Sequence, residues 1–283
     1  MTRPFRQVDV FGQDPCSGNP VAVVLDAEGL DDDTMRRFSV WTNLSECTFV
    51  LPPTDPAADY RVRIFCLDVE LPFAGHPTLG TARAWLDAGG VPACDGVVVQ
   101  ECGAGLVPVR VDGDHLAFAA PPRTRSGPVE TAFLDEVLAV LGIASDQVVD
   151  AEWLDNGPGW VGVLLDSAET VLELRPDASS HPGHGDDPWD IGVIGPTGDP
   201  EEPWEVRAFF GPGPALREDP VTGSLNAAAA QWLLGAGRAT APYVARQGTS
   251  LGRRGRVHVS ESDGEIWVGG RTHVTLSGNV DVA

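Results

Sequence analysis

Two segments of this chain match each other at a fixed distance, and that duplication constrains the fold more than any other feature of the sequence. Gly75, Ala82, Leu86, Ala88 and Gly89 in GHPTLGTARAWLDAGG recur as Gly223, Ala230, Leu234, Ala236 and Gly237 in GSLNAAAAQWLLGAGR, an offset of 148 residues from Gly75 to Gly223. Val109-Arg110-Val111 recurs as Val257-His258-Val259 at the same offset, and Val62-Arg63-Ile64-Phe65 resembles Val206-Arg207-Ala208-Phe209 with a slightly different one. Strand, loop, helix and strand therefore repeat in order. Such a chain is expected to fold as two homologous α/β halves, joined near the proline-bearing stretch Pro121 to Pro128. The expected halves are residues 1–121 and 122–283, with a pseudo-twofold cleft between them.

Local patterns supply the elements of each half. Asp9, Phe11, Val21, Val23 and Leu25 lie in short strand-like runs broken by Cys16-Ser17-Gly18-Asn19-Pro20, and Thr48 to Leu51 reads as a further strand. Between them, Asp31 to Thr34 precede Met35, Phe38 and Trp41, a spacing of three that fits a short amphipathic helix. Glu46 then falls at a helix-to-strand junction. In the repeated segments, His76-Pro77 and Ser224-Leu225 each follow a glycine and open a helical run. Pro77 suits a first helical turn, and Ser224 is a favoured N-cap. A helix start offers backbone N–H groups and partial positive charge, so both starts are natural places for a carboxylate.

Composition narrows the chemistry. The 19 basic residues are all arginine, which removes mechanisms built on a lysine amine, such as Schiff-base catalysis, and the phosphate-binding loop that needs a lysine. A formal charge of −22 disfavours partners that present phosphate backbones or anionic lipid, so neither nucleic acid nor a membrane is an expected partner. Five cysteines form an odd set without a paired Cys-x-x-Cys, and read as reduced thiols of a cytoplasmic protein. His181-x-x-His184 with Asp186 and Asp187 has metal-like spacing, but its glycines and prolines read as a surface loop, and no metal site is expected. Ser224 lacks the following glycine of a hydrolase nucleophile elbow.

Taken together, Asn43-Leu44-Ser45-Glu46-Cys47-Thr48-Phe49, Phe73-Ala74-Gly75-His76-Pro77-Thr78-Leu79-Gly80 and Glu218-Asp219-Pro220-Val221-Thr222-Gly223-Ser224 resemble the PhzF-like isomerases of phenazine biosynthesis. Ser17 to Val23 and Gly255 to Val259 extend the resemblance over nearly the whole chain. It implies an α+β fold like that of diaminopimelate epimerase: two homologous halves, each a barrel-like sheet wrapped around a central helix, with the active site between them. It implies further that Glu46 moves a proton between two carbons of a small carboxylate substrate without metal or organic cofactor, assisted by His76 and Asp219. Asn19, Gly75, Gly223 and Ser224 would then bind substrate, and the protein would be a homodimer. For Glu46 to serve as base and then acid, its pKa should lie near neutrality through partial burial.

The chain departs from the related epimerases and racemases, which place a catalytic cysteine directly before each of the two glycines. Here those positions hold Ala74 and Thr222, so a two-thiol mechanism is unavailable. Within the family pattern, Cys47 replaces a usual threonine, Leu225 a usual alanine and Arg254 a usual proline. The rival reading from another class is a catalytically silent protein of the same fold that binds a small carboxylate.

Overall fold

The computed structural model describes residues 2–179, 189–211 and 213–282 and divides into two compact units, 1–119 with 267–283, and 120–266. The first runs β1 (Thr2–Val10), β2 (Asn19–Val24), α1 (Asp32–Thr42), β3 (Glu46–Leu51), β4 (Tyr60–Cys66), β5 (Val69–Leu71), α2 (Gly75–Asp87), β6 (Val97–Cys102), β7 (Gly105–Asp112) and β8 (His115–Ala119). The second follows with α3 (Thr131–Leu141), β9 (Val148–Trp153), β10 (Val161–Leu165), α4 (Ala168–Glu173), β11 (Trp189–Pro196), β12 (Trp204–Gly211), β13 (Arg217–Asp219), α5 (Gly223–Gly235), β14 (Tyr243–Gln247) and β15 (Gly255–Ser262). The last strand, β16 (Glu265–Asp281), begins in the second unit and runs on through the first.

The units part at 119/120, where the expected boundary was 121/122, and the C-terminal strand groups with the first unit. The reason is pairing. Thr2 to Val10 of β1 lie antiparallel to Thr272 to Asp281, while β8 pairs with Trp267 to Arg271, so β16 closes the first sheet into a barrel in the order β1-β2-β3-β4-β6-β7-β8-β16. The stretch 121–128 belongs to the second unit, where Arg125 and Pro128 bridge to Asp155 and Glu152.

The duplication is visible in the pairing pattern itself. In the first unit the contacts β1–β2, β2–β3, β3–β4, β4–β6 and β6–β7 alternate antiparallel, parallel, antiparallel, parallel, antiparallel. In the second, β9–β10, β10–β11, β11–β12, β12–β14 and β14–β15 follow the same alternation. In each unit a three-residue strand, β5 or β13, pairs beside this path and leads into a thirteen-residue helix. Helices α2 and α5 start 148 residues apart, at Gly75 and Gly223, so the repeat read from sequence coincides with the same structural element.

These helices are central because small residues let a sheet approach from several sides. Gly75 to Ala82 of α2 are all buried, and the helix touches β1, β2, β3, β6, β7 and β8. At Gly80 a Cβ would lie 2.2 Å from Val21 Cγ1, so only glycine admits the strand there. Helix α5 is buried from Gly223 through Ala230, with hydrophobicity spread around its circumference rather than along one stripe. By contrast α1 is amphipathic. Asp31 caps it by accepting the Thr34 N–H at 2.8 Å, Met35 is buried, and Asn43 ends it in the left-handed region. Trp41, expected on its apolar face, is 79% exposed instead; Phe38 stands between Phe5 and Phe49 and fills that side.

Leu225, which stands where alanine is usual, has a structural counterpart. Gly192 of β11 faces it so closely that a Cβ there would fall 2.3 Å from Leu225 Cδ1. The larger helix residue and the missing side chain on the strand fit each other. Gly192→Ala is expected to lose about 1–3 kcal/mol of stability through overpacking. Adding Leu225→Ala should recover part of that loss, a coupling measurable by urea denaturation of the single and double variants.

Candidate functional site

In the first unit, strand geometry decides where Glu46 points. Side chains alternate along β3, and Thr48 faces the central helix, because the Thr81 hydroxyl of α2 donates to it at 2.8 Å. Glu46, two residues earlier, shares that face. Cys47 and Phe49 occupy the other face, in the apolar cluster with Ala22, Met35 and Phe65 under α1. Glu46 is thereby directed to the start of α2, where His76 Nε2 lies 3.2 Å from its Oε2. The pair is at hydrogen-bonding distance but out of alignment.

Behind His76 stands Asn19, the first residue of β2, whose Nδ2 is 3.4 Å from His76 Nδ1. Burial pushes the His76 pKa down to about 3, so the imidazole is neutral at ordinary pH. The Asn19 amide can donate to Nδ1 only in the tautomer that carries the ring proton on Nε2, on the side of the Glu46 carboxylate. The preceding loop fixes Asn19 in turn. The buried Asp9 carboxylate accepts the backbone N–H groups of Ser17 and Gly18 at 2.9–3.1 Å. Gly12 and Gly18 let the loop lie against β1, since a Cβ at Gly12 would meet Asp9 Oδ2 at 2.2 Å.

In the second unit, the start of α5 carries a buried polar cluster. Thr222 is the N-cap, yet its side chain does not cap the helix; its hydroxyl donates to Asp219 Oδ2 at 2.6 Å. Ser224, expected as the N-cap, is the second helical residue. Its Oγ accepts the Trp160 indole N–H at 3.0 Å, and its carbonyl accepts the Asn156 amide at 2.9 Å. Both partners come from the loop between β9 and β10, which the sequence reading passed over although its Asn156-Gly157-Pro158-Gly159-Trp160 run carries a turn signal. Gln247, at the end of β14, accepts the Thr222 N–H and had no signal of its own in the sequence.

The structure thus brings Glu46, His76 and Asn19 together at the start of α2, beside Gly75, and Asp219, Gly223 and Ser224 together at the start of α5. Asn19 is fully buried, with its amide turned to His76. Cys47, adjacent to Glu46 in sequence, points away from it; burial pushes its thiol up to about 11, and its Sγ sits 3.1 Å from the Thr42 hydroxyl. Cys47 is a core-packing residue beneath α1. Arg254 is exposed. The His181-x-x-His184 motif lies outside the described residues. Among the described residues no group of three or more His, Cys, Asp or Glu side chains is placed to hold a metal ion, and no helix is long and apolar enough to cross a membrane.

Two homologous units with the same strand alternation, each organised on a buried helix that begins at a glycine, define an α+β protein of the diaminopimelate epimerase-like class. The family model described as phenazine biosynthesis-like protein, PhzC-PhzF, matches residues 8–280. The chain belongs to this family, the PhzF-like isomerases. The trans-2,3-dihydro-3-hydroxyanthranilate isomerase of Pseudomonas aeruginosa is 35% identical over 265 residues, covering 91% of this chain and 90% of that protein. A Schizosaccharomyces pombe protein named antisense-enhancing sequence 1 is 37% identical over 292 residues, covering 97% of each. Among solved structures, the Bacillus anthracis PhzF-family protein superposes with a TM-score of 0.82 at 22% identity over the whole of both chains. A probable proline racemase from Agrobacterium radiobacter superposes at 0.62 and 16% identity, covering 99% of this chain and 93% of that one, which shares the fold alone.

The buried neutral imidazole has a consequence for stability. Because the folded pKa lies below the unfolded value of about 6.5, the unfolded chain takes up this proton first as the pH falls. Stability attached to the neutral ring is complete above about pH 6.5 and is lost as the pH drops toward 3. Relative to a His76→Gln variant, the wild type is expected to lose up to about 1.4 kcal/mol per pH unit below 6.5. Urea unfolding of both proteins between pH 7.5 and 5 measures the difference.

Proposed function

We propose that this protein is a cofactor-independent isomerase that moves a proton between two carbons of a small carboxylate, with Glu46 as the group that takes and returns it. The observation that carries this reading is the Glu46–His76 contact of 3.2 Å, with Asn19 behind the ring. A carboxylate at the edge of a buried helix start, 3.2 Å from a neutral imidazole, lies beside a group able to orient it. In the proposed reaction the Glu46 carboxylate removes an acidic C–H proton from the substrate. The electron pair left on carbon delocalises along the substrate's unsaturated system, and protonated Glu46, whose carboxyl proton exchanges with solvent, then delivers a proton to a second carbon. His76 keeps its own proton throughout and orients Glu46. Asn19 is read as a positioning residue that sets the His76 tautomer, rather than as a substrate contact.

Substrate binding falls to the helix starts. First-turn N–H groups of α2 and α5, which have no intrahelical acceptor, suit a carboxylate, and in a chain whose only cationic side chains besides histidine are arginines they supply positive potential without a lysine. Asp219 is the proposed acceptor for a substrate hydroxyl or amine, with Ser224 beside it. The 35% identity to trans-2,3-dihydro-3-hydroxyanthranilate isomerase supports a substrate of that kind, a hydroxylated cyclic amino acid. A cytoplasmic homodimer is the proposed working form.

The test is solvent-deuterium incorporation. Incubated in D2O with trans-2,3-dihydro-3-hydroxyanthranilate and related cyclic amino carboxylates, the wild type should label a product carbon, while Glu46→Gln should lose at least about a hundredfold in rate. Binding of the same compounds without exchange would identify a silent carboxylate-binding protein instead. Asn19→Leu should lower turnover while leaving substrate affinity within about threefold, because it releases the imidazole without touching a ligand.

A further inference from the structure

We propose that Thr222, held in place by Gln247, is a positioning residue that keeps Asp219 ionised and fixed at the start of α5. The inference rests on the reading of Asp219 as a substrate-binding group, and adds the device that sets its charge and orientation.

Hydrogen-bond directions in this cluster follow from obligate donors and acceptors. The Thr222 backbone N–H donates to Gln247 Oε1 at 2.9 Å. That contact identifies the oxygen end of the Gln247 amide, so its Nε2 end is the donor. Nε2 lies 2.9 Å from Thr222 Oγ1 and 3.2 Å from the Asp219 carbonyl oxygen. An amide nitrogen only donates, so Thr222 Oγ1 accepts from Gln247, and its own proton is free to go elsewhere. It goes to Asp219 Oδ2 at 2.6 Å, and a carboxylate that accepts such a hydroxyl is stabilised in its charged form. Asn226 completes the arrangement: its Nδ2 donates both to the Thr222 carbonyl and to Gln247 Oε1, at 2.9 and 2.8 Å. The path therefore runs one way, from the Gln247 amide through the Thr222 hydroxyl to the carboxylate.

The segment that carries this path is tightly seated. Gln247 is completely buried, and Asp219, Thr222 and Asn226 are all buried as well. A Cβ at Gly255 would fall 2.4 Å from Val221 Cγ2, and one at Gly248 would fall 2.6 Å from the Pro220 carbonyl, so β15 and the turn before it press on residues 219–222.

Comparison of the two repeats separates scaffold from function. In the first unit, buried Gln100 on β6 donates to the Thr78 hydroxyl of α2 at 2.9 Å and accepts from Tyr60 at 3.1 Å. Thr78 and Asn226 are equivalent under the 148-residue repeat, and β6 and β14 are equivalent strands. A buried glutamine tying the fourth residue of the central helix to the next strand is thus common to both copies. Only the second copy adds a hydroxyl at the N-cap; the equivalent residue of the first is Ala74, whose side chain has no polar atom. The Thr222–Asp219 bond is therefore not required to build such a helix start, which argues for a role toward the carboxylate.

The test uses Thr222→Val, which keeps the branched shape and removes the proton donor, against Thr222→Ser, which restores the donor. In ¹³C-carboxyl NMR titration of the free protein, with the Asp219 resonance assigned by Asp219→Asn, Thr222→Val should raise the Asp219 pKa by about one unit and Thr222→Ser should return it toward wild type. With trans-2,3-dihydro-3-hydroxyanthranilate as probe, Thr222→Val should lower kcat/KM at least about tenfold and move the acid limb of its pH profile upward, with serine rescuing both. An unshifted Asp219 titration in a folded Thr222→Val protein, or a serine variant as impaired as valine, overturns the proposal. Glu46→Gln run in the same assay keeps the two readings apart: exchange that survives it removes the proposed function, whereas its loss beside a normal Thr222→Val removes only this inference.

Discussion

The structure depends on helix starts buried inside sheets. A helix leaves its first N–H groups without intrahelical acceptors, and water cannot satisfy them when the helix is enclosed on nearly every side. In the second unit buried Gln247 accepts the N-cap N–H of Thr222, while in the first buried Gln100 donates to the Thr78 hydroxyl of the helix instead. The same constraint generates chemistry. Donors that cannot be used up by the helix remain oriented toward whatever anion lies at its N-terminus, and small residues at Gly75 and Gly223 let a ligand or a neighbouring side chain come close.

Duplication supplied two such starts, and divergence gave them different carboxylates. In the first unit the acid comes from outside the helix segment, on β3, and reaches the helix through His76. In the second it comes from the turn just before the helix, at Asp219, and is bound by the N-cap hydroxyl. Where related racemases hold a cysteine before each glycine, Ala74 is silent and Thr222 is committed to Asp219. Neither position carries a thiol.

Charge is organised by the same economy of cations. Arg63 binds Glu70 and Asp32, Arg207 binds Glu218, and Arg246 and Arg256 both bind Glu202. Such guanidinium forks fix strand ends and loops, and most of these pairs are exposed enough that each adds little to stability. The Arg207–Glu218 pair is the buried exception, with the guanidinium also donating to the carbonyls of Val171 and Leu174.

The sequence by itself determined the duplication, the two helix starts at a common offset, and the exclusion of lysine chemistry, because glycine spacing and residue type are local facts that survive in one dimension. It also placed Glu46 at a helix-to-strand junction, and the alternation of β3 then turned it to the helix. Partnership was decided only in three dimensions. Asn19 meets His76 across 57 residues, Gln247 meets Thr222 across 25, and Trp160 meets Ser224 across 64. No period or motif encodes such pairs, since they arise where strands distant in the chain pack against one helix start. For the same reason Cys47 faces the core under α1 despite lying next to Glu46, and the C-terminal strand completes the first unit rather than the second.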